Sequence, residues 1–469
     1  PFCFYTDNNH SSKIYHIDGY KWHDNTYLIN KNHYEMPIFI YELHFESWRK
    51  KKGGEFYSYR EMVDVLIPYV KRQGFTHIEL LPMVESIDCI YACMSKYGEP
   101  KDFMYFIDCC HQADIGVIMA IVFLNGHCDL SKKEVRSVLI SNICFWIEYF
   151  HIDGFRFVDI AKAIYLNGDK NQGINYHGIE FLRLLNYTIH SMYPEIIMIA
   201  EDATDFLMVT KPTDVGGLGF NYIWNIEWMN DILEYFEEKH LFRKYLHKNI
   251  TFDFVRLFSE YFILPLSHYE VINGKKPLIS KMPGDYWQKF ANFRLLMGLL
   301  ITYPGKKLIF MGDEFAHMDE WKEKEQLDWD LYNYSSHEVS NRFVRDLIAL
   351  YKKEKALYET DHFEDGFLWI DENNIDQSIF SFIRKNKDSS ELLVIILNCS
   401  PAFYEDFKIG VPNEGSYKEI LNSDRDYYGG QNQFNSLVLH TINEKCHNFN
   451  HCLKVKVPPL GISILKFQN

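Results

Sequence analysis

The 469-residue chain has a mass of 55.8 kDa and a formal net charge of -15. That charge opposes tight binding to nucleic acid, whose phosphates attract cations and supply most non-specific affinity. With 47% hydrophobic and 24% charged residues, the composition excludes a disordered chain and suits a soluble protein with a sizeable core. The length exceeds one small core, so two domains are expected, and neutral partners such as glycans stay open.

In chain order, short β-type runs alternate with amphipathic stretches. Strands are predicted at Ile38 to Glu42, Thr76 to Leu81 and Gly116 to Met119, and helical periodicity follows at Tyr59 to Gln73, Lys101 to Ala113 and Lys133 to Phe150. The alternation continues through Gly154 to Val158, Ile196 to Ala200, Phe262 to Pro265 and Lys307 to Met311. Strand alternating with helix implies parallel strands, and eight such units predict a TIM-type (β/α)8 barrel with its chemistry at the C-terminal strand ends. From about Phe367 the texture changes to short alternating runs, Ser378 to Arg384 and Leu392 to Leu397. Turn signals at Asn413-Glu414-Gly415 and Gly429-Gly430, and a proline stop at Pro458-Pro459, complete the pattern of an antiparallel β domain.

Apolar runs such as Gly116 to Leu124 are far shorter than the ~20 residues a membrane-spanning helix needs, so no span is expected. The opening Pro1-Phe2-Cys3-Phe4-Tyr5 has no initiator Met and no basic stretch before an apolar one, so no signal peptide is visible. The ten cysteines follow no framework spacing and are expected to be reduced thiols in a cytoplasmic protein. One cluster, Cys446, His447, His451 and Cys452, holds residue types that bind zinc, although four ligands from one short loop are unusual and a polar loop is the plainer reading. Aromatic residues are abundant, and sugar clefts use aromatic faces as platforms. The chain is also rich in Asn, Lys and Ile, so a biased nucleotide composition accounts for the abundance as well.

Several runs carry a more specific signal. Ile40-Tyr41-Glu42-Leu43-His44 with Ser47-Trp48, and Leu66-Ile67-Pro68-Tyr69-Val70 through Gly74-Phe75-Thr76-His77-Ile78-Glu79-Leu80-Leu81-Pro82, resemble the first strands and helix of the 1,4-α-glucan branching enzymes of the α-amylase superfamily. So do His151 to Arg156, Met198 to Asp202, Gly216 to Phe220, Leu264 to His268 and Lys281 to Asp285, with Asn422, Asp424 and Tyr428 to Gly430 in the terminal domain. The resemblance runs from end to end. It implies three regions: residues 1–32, leading from an N-terminal carbohydrate-binding domain that this sequence lacks; a catalytic barrel at 33–360; and an all-β domain at 361–469. It also implies shortened segments between Glu85 and Tyr97 and after Val122. The implied partner is an α-glucan polysaccharide such as glycogen, amylose or starch. No cofactor, nucleic acid or membrane is implied.

The family cuts an α-1,4 bond and transfers the chain to a 6-hydroxyl with retention. That needs a nucleophile and an acid whose carboxyl groups stand about 5 to 5.5 Å apart. Glu201, directly after the strand Ile196 to Ala200, matches the general acid/base. The nucleophile position is altered: the family spaces Arg and Asp two apart, whereas Arg156-Phe157-Val158-Asp159 spaces them by three. Asp159 is therefore a nucleophile candidate one residue out of register, with Val158 in its slot, unless a β-bulge absorbs the extra residue. Tyr269 stands where the family places its transition-state aspartate, and a phenol stays neutral near pH 7. Ala120 replaces an aspartate of the third strand, and His127 is a poor equivalent of a family histidine. Arg156 and His268 are expected to bind sugar. The expectation is a catalytically impaired branching-enzyme homologue, with an inactive α-glucan-binding paralogue or decayed gene product as the alternative, against a working enzyme rescued by a bulge. Simple α-glucan hydrolysis uses the same carboxylates and inherits the same defect.

Overall fold

A computed structural model describes residues 5–6, 12–13, 15–24, 27, 32–84, 90–122, 128–204, 206–251, 257–272, 274–436 and 438–468. Pro1 to Phe4, His127 and the cores of both segments expected to be short, 85–89 and 123–127, lie outside them.

Eight parallel strands close a barrel: β1 (Phe39–Leu43), β2 (His77–Leu80), β3 (Gly116–Ile121), β4 (Gly154–Phe157), β5 (Ile197–Ala200), β6 (Tyr222–Trp224), β7 (Phe262–Leu266) and β8 (Lys306–Phe310). Neighbours follow chain order, and closure comes from β8 pairing β1 in the register Lys307 to Phe39 through Phe310 to Glu42. Buried residues run without a break along β1, β3 and β8, because helices cover the outer face and side chains fill the interior. The sequence pattern missed β6. It is three residues long and follows a glycine-rich run, too short to show a period.

The helices form where local signals and apolar faces agree. Tyr59–Gln73 starts on a capping box, with the Ser58 hydroxyl accepting from the Glu61 amide and the Glu61 carboxylate accepting from Ser58 N–H. It stops at Gly74, whose φ of 95° is left-handed. Lys133–Phe150 and Tyr286–Thr302 supply further layers, the latter capped by Asp285 and Gln288.

After the last barrel helix, Ser335–Lys353, the chain forms β9 (Phe367–Asp371), β10 (Ile379–Lys385), β11 (Leu392–Asn398), β12 (Tyr404–Val411), β13 (Ser416–Asn422), β14 (Leu439–His440), β15 (His451–Val457) and β16 (Gly461–Gln468). Six of them make an antiparallel sheet in the order β9-β10-β11-β16-β13-β14, and β12 pairs with β15 against it. Ile383, Val394, Ile396, Ile409, Val455 and Leu465 fill the core between the two layers. Among the described residues no helix is long and apolar enough to cross a membrane.

Candidate active site

The C-terminal mouth of the barrel is organised by one buried guanidinium. Arg156, on β4, is 1% exposed. Its Nε donates to Glu79 Oε1 at 2.5 Å, Nη1 to Glu201 Oε2, and Nη2 to Glu42 Oε1 at 3.4 Å. Inward side chains of β1, β2 and β4 converge because alternate residues of each strand point into the barrel, and Glu201 joins them from the residue after β5. The ring of Trp224, at the end of β6, lies 4.2 Å from the Arg156 guanidinium carbon, a cation–π contact that covers its remaining face.

Burial works against charge here, and His268 with Arg156 decides which carboxyl keeps it. Burial pushes Glu79 up, and Arg156 offsets this only partly, leaving it at about 7. Burial also pushes Glu42 up, but His268 and Arg156 outweigh that and hold it below the usual carboxylate range. His268 accomplishes this with two bonds, Nδ1 to Glu42 Oε1 at 2.6 Å and its backbone N–H to Oε2 at 2.9 Å. For Arg156, burial disfavours the cation, yet Glu79, Glu201 and Glu42 together hold its pKa above the ordinary value. Glu79 Oε2 is buried with no hydrogen-bond partner among the described residues. Ala120, level with Arg156 on the neighbouring β3, offers only a methyl group.

Tyr269 follows His268 and stands near enough to Glu201 to feel its charge. Burial first and the Glu201 charge second push this phenol up, so it stays protonated at neutral pH. Its ring lies 4.1 Å from that of His268 and edge-on to Trp224 at 6.5 Å.

Asp159 stands apart from this network. Val158 N–H still donates to Ile121 O at 3.0 Å, and Glu201 N–H to Phe157 O at 3.0 Å, as a regular parallel ladder requires. The next rung would be Asp159 N–H to Glu201 O, but Ile160 N–H makes that bond at 2.9 Å. One extra residue is thus taken up as a bulge at Val158 and Asp159, and Asp159 adopts a left-handed φ of 53°. Its Oδ2 pairs with Lys162 Nζ at 3.1 Å, and the side chain is 43% exposed. Among the described residues its only ion pair is this one, and Arg156 pairs with Glu42, Glu79 and Glu201 instead.

The structure brings Glu201, Arg156 and His268 together on the mouth of the barrel. Sequence reasoning did not assign Glu42, Glu79 or Trp224 to the site. A signal was available for the first two: Tyr41-Glu42-Leu43 and Ile78-Glu79-Leu80 each set a carboxylate between apolar residues of a buried strand, where a charge needs a partner.

Comparison with known proteins gives the family. The chain is 46% identical to the 1,4-alpha-glucan branching enzyme GlgB of Geobacillus stearothermophilus over 99% of its own length and 80% of that protein's. The chain belongs to the 1,4-alpha-glucan branching enzyme family. The GlgB of Bacillus mycoides (strain KBAB4) is 44% identical over 99% of the chain and 79% of its relative. Residues 369–468 match the family model for the alpha amylase C-terminal all-beta domain, which is the β9 to β16 unit. The 1.4 Å crystal structure of a provisionally assigned alpha amylase from Salmonella typhimurium superposes with a TM-score of 0.70 at 16% identity. It covers 99% of this chain and 87% of that one, a likeness of fold alone.

Proposed function

We propose that the chain is a branching-enzyme homologue that recognises α-glucan at the barrel mouth but is impaired in cleaving and transferring it. The observation that carries this reading is the separation of the two candidate carboxylates' partners: Glu201 is bound to Arg156, while Asp159 is bound to Lys162 on the solvated side. A double displacement needs one carboxylate to attack the anomeric carbon while the other protonates the leaving oxygen. Glu201 is suited to the second task. Arg156 acts as a positioning residue, since its buried guanidinium is committed to carboxylates, and His268, with Nδ1 held by Glu42, has Nε2 left to meet a sugar hydroxyl. Tyr269 supplies a neutral hydroxyl where the family resemblance implies a transition-state charge, a loss worth about 10² to 10³ in rate for one preorganised group. The match to relatives spans 512 positions against a chain of 469 residues, which requires gaps in the chain and supports shortened loops around the cleft.

The bulge at Asp159 favours a second reading, a slow but working enzyme in which this carboxylate leaves Lys162 and turns to the substrate. One experiment separates the two. Purified protein is incubated with amylose, and new α-1,6 branches are counted after debranching. No branches above a Glu201→Gln control are expected. Branching that disappears in Asp159→Asn would establish the working enzyme instead. If Tyr269→Asp raises the rate from a detectable floor, the missing charge was the main defect.

A further inference from the structure

The turn Cys446 to Phe449 in the terminal β domain gathers two thiols, an imidazole and a carboxylate. Cys446 and Phe449 close a two-residue hairpin, with Cys446 N–H to Phe449 O at 3.0 Å and Phe449 N–H to Cys446 O at 2.9 Å. His447 and Asn448 take the left-handed φ values of 47° and 65° that such a turn needs. Cys452, on β15, pairs with Gly410 of β12 on one side and forms a bridge to Ile442 on the other. Gly410 is held to glycine because a Cβ there would meet Cys446 O at 2.1 Å. That close approach presses the turn onto the strand pair, on the face that Cys452 shares with Gly410 opposite it. Cys446 Sγ lies 3.9 Å from Lys408 O and Cys452 Sγ 3.4 Å from Leu453 O.

His447 stands against this pair. Its Nδ1 is 3.2 Å from Cys446 Sγ and accepts from Gly410 N–H at 3.1 Å. A nitrogen that accepts a backbone N–H carries a lone pair, so the ring proton sits on Nε2, which is 3.5 Å from Asp371 Oδ2 at the end of β9. Thiol, imidazole and carboxylate are in line, the order in which a base activates a sulfur nucleophile. The four-residue cluster singled out in the sequence does not converge as a metal site: His451 neighbours Cys452 on the strand and so points to its opposite face. Among the described residues no group of three metal-ligating side chains is placed to hold an ion.

We propose that Cys446 and Cys452 form a reversible dithiol–disulfide site, with Cys446 as attacking thiol, Cys452 as resolving thiol and His447 as base, taking a small-molecule disulfide such as oxidised glutathione as its partner. The electron balance is that of exchange. His447 Nδ1 gives up the Gly410 N–H bond and takes the Cys446 proton, and the thiolate attacks one sulfur of the reagent, forming a mixed disulfide; the thiolate released takes that proton from Nδ1 and leaves as a thiol. Cys452 then attacks Cys446 Sγ and expels the second thiolate, which leaves with the Cys452 proton. The protein is oxidised by two electrons, and one reagent disulfide becomes two thiols. Cys446 is half-buried and reachable, while Cys452 is fully buried, which fixes the order of the two attacks. Burial pushes both thiols up, Cys452 to about 11, so attack near neutral pH depends on the neighbouring base.

The test incubates the full chain with oxidised glutathione, blocks remaining thiols by alkylation and maps peptides without reduction. A Cys446–Cys452 link is expected in the unmodified sequence. In Cys452→Ser a stable glutathione adduct on Cys446 is expected, and in Cys446→Ser no adduct on Cys452. His447→Asn keeps a residue that tolerates the left-handed turn and should slow linkage by at least about tenfold at an unchanged melting temperature. The proposal is overturned if both thiols alkylate freely after incubation, if glutathione stays on Cys446 while Cys452 is present, or if a His447→Asn protein of unchanged melting temperature links as fast.

Discussion

The two ends of the barrel both bury charge, and they hold it differently. At the N-terminal end, Lys306 Nζ donates to the backbone carbonyls of Tyr34, Met36 and Tyr358 at 2.8, 2.8 and 3.2 Å. Asp361 lies 3.4 Å from that lysine and accepts from Arg384 Nη2 at 2.9 Å, and Arg384 Nη1 reaches Thr302 O at 2.8 Å. These bonds tie the terminal β domain to the barrel floor, and most acceptors are main-chain atoms whose positions the strands and helices already fix. At the C-terminal end the partners of Arg156 are three side-chain carboxylates, and among the described residues each end leaves buried polar atoms without a hydrogen-bond partner, Glu79 Oε2 here and Asp361 Oδ2 and Arg384 Nε on the floor. The floor is architecture, and the mouth is a set of side chains on an architecture. Chemistry at the mouth can therefore change by single residues while the floor and the fold stay as they are.

Three experiments would break or sharpen this contrast. The largest effect is expected for Arg156→Leu, which leaves Glu42, Glu79 and Glu201 buried without their shared cation. Urea unfolding should show a loss of about 3–5 kcal/mol, the cost of breaking a buried pair. A loss under about 1 kcal/mol would mean that the three carboxylates do not depend on it.

A second effect depends on pH. Glu314, behind the mouth, accepts from Tyr41 Oη at 2.8 Å and Tyr69 Oη at 2.5 Å, but burial outweighs both and pushes it up to about 7 from 4.5. Below the lower value both folded and unfolded chains hold the proton. Between the two values the unfolded chain releases it and the folded one keeps it, so stability falls as pH rises, on the order of 3 kcal/mol across this window. Denaturant midpoints measured against pH should show that fall reduced in Glu314→Gln, and parallel curves for the two proteins would refute it.

The smallest effect is expected on the floor. Asp361→Asn removes one carboxylate, but Lys306 keeps three carbonyl acceptors and Arg384 keeps the Thr302 carbonyl, so the loss should be about 2 kcal/mol. It should appear as weakened docking of the β domain, read by proteolysis around residues 353–366, with no change at the mouth. A larger loss than that of Arg156→Leu would invert the comparison.

Much of this molecule was legible in the sequence because it rests on local rules. The helices Tyr59–Gln73 and Lys133–Phe150 fall on their predicted spans, the first between a capping box and a left-handed glycine. Seven barrel strands follow from apolar runs bounded by polar residues, and Glu201 sits where the family words put it, next to the end of β5. Other features were beyond that reading. Tyr222–Trp224 is a strand only because its neighbours make it one, since three residues carry no periodicity. That Glu42, Glu79 and Glu201 share one arginine depends on three strands meeting across a closed barrel, a long-range fact that no spacing encodes. The register after Arg156 is the clearest division. The sequence by itself determined that one residue too many lies between Arg156 and Asp159. Only the tertiary structure decided that the end of β4 would absorb it as a bulge, because the Glu201 carbonyl needs a backbone donor and takes the one from Ile160, leaving Asp159 to turn outward to Lys162.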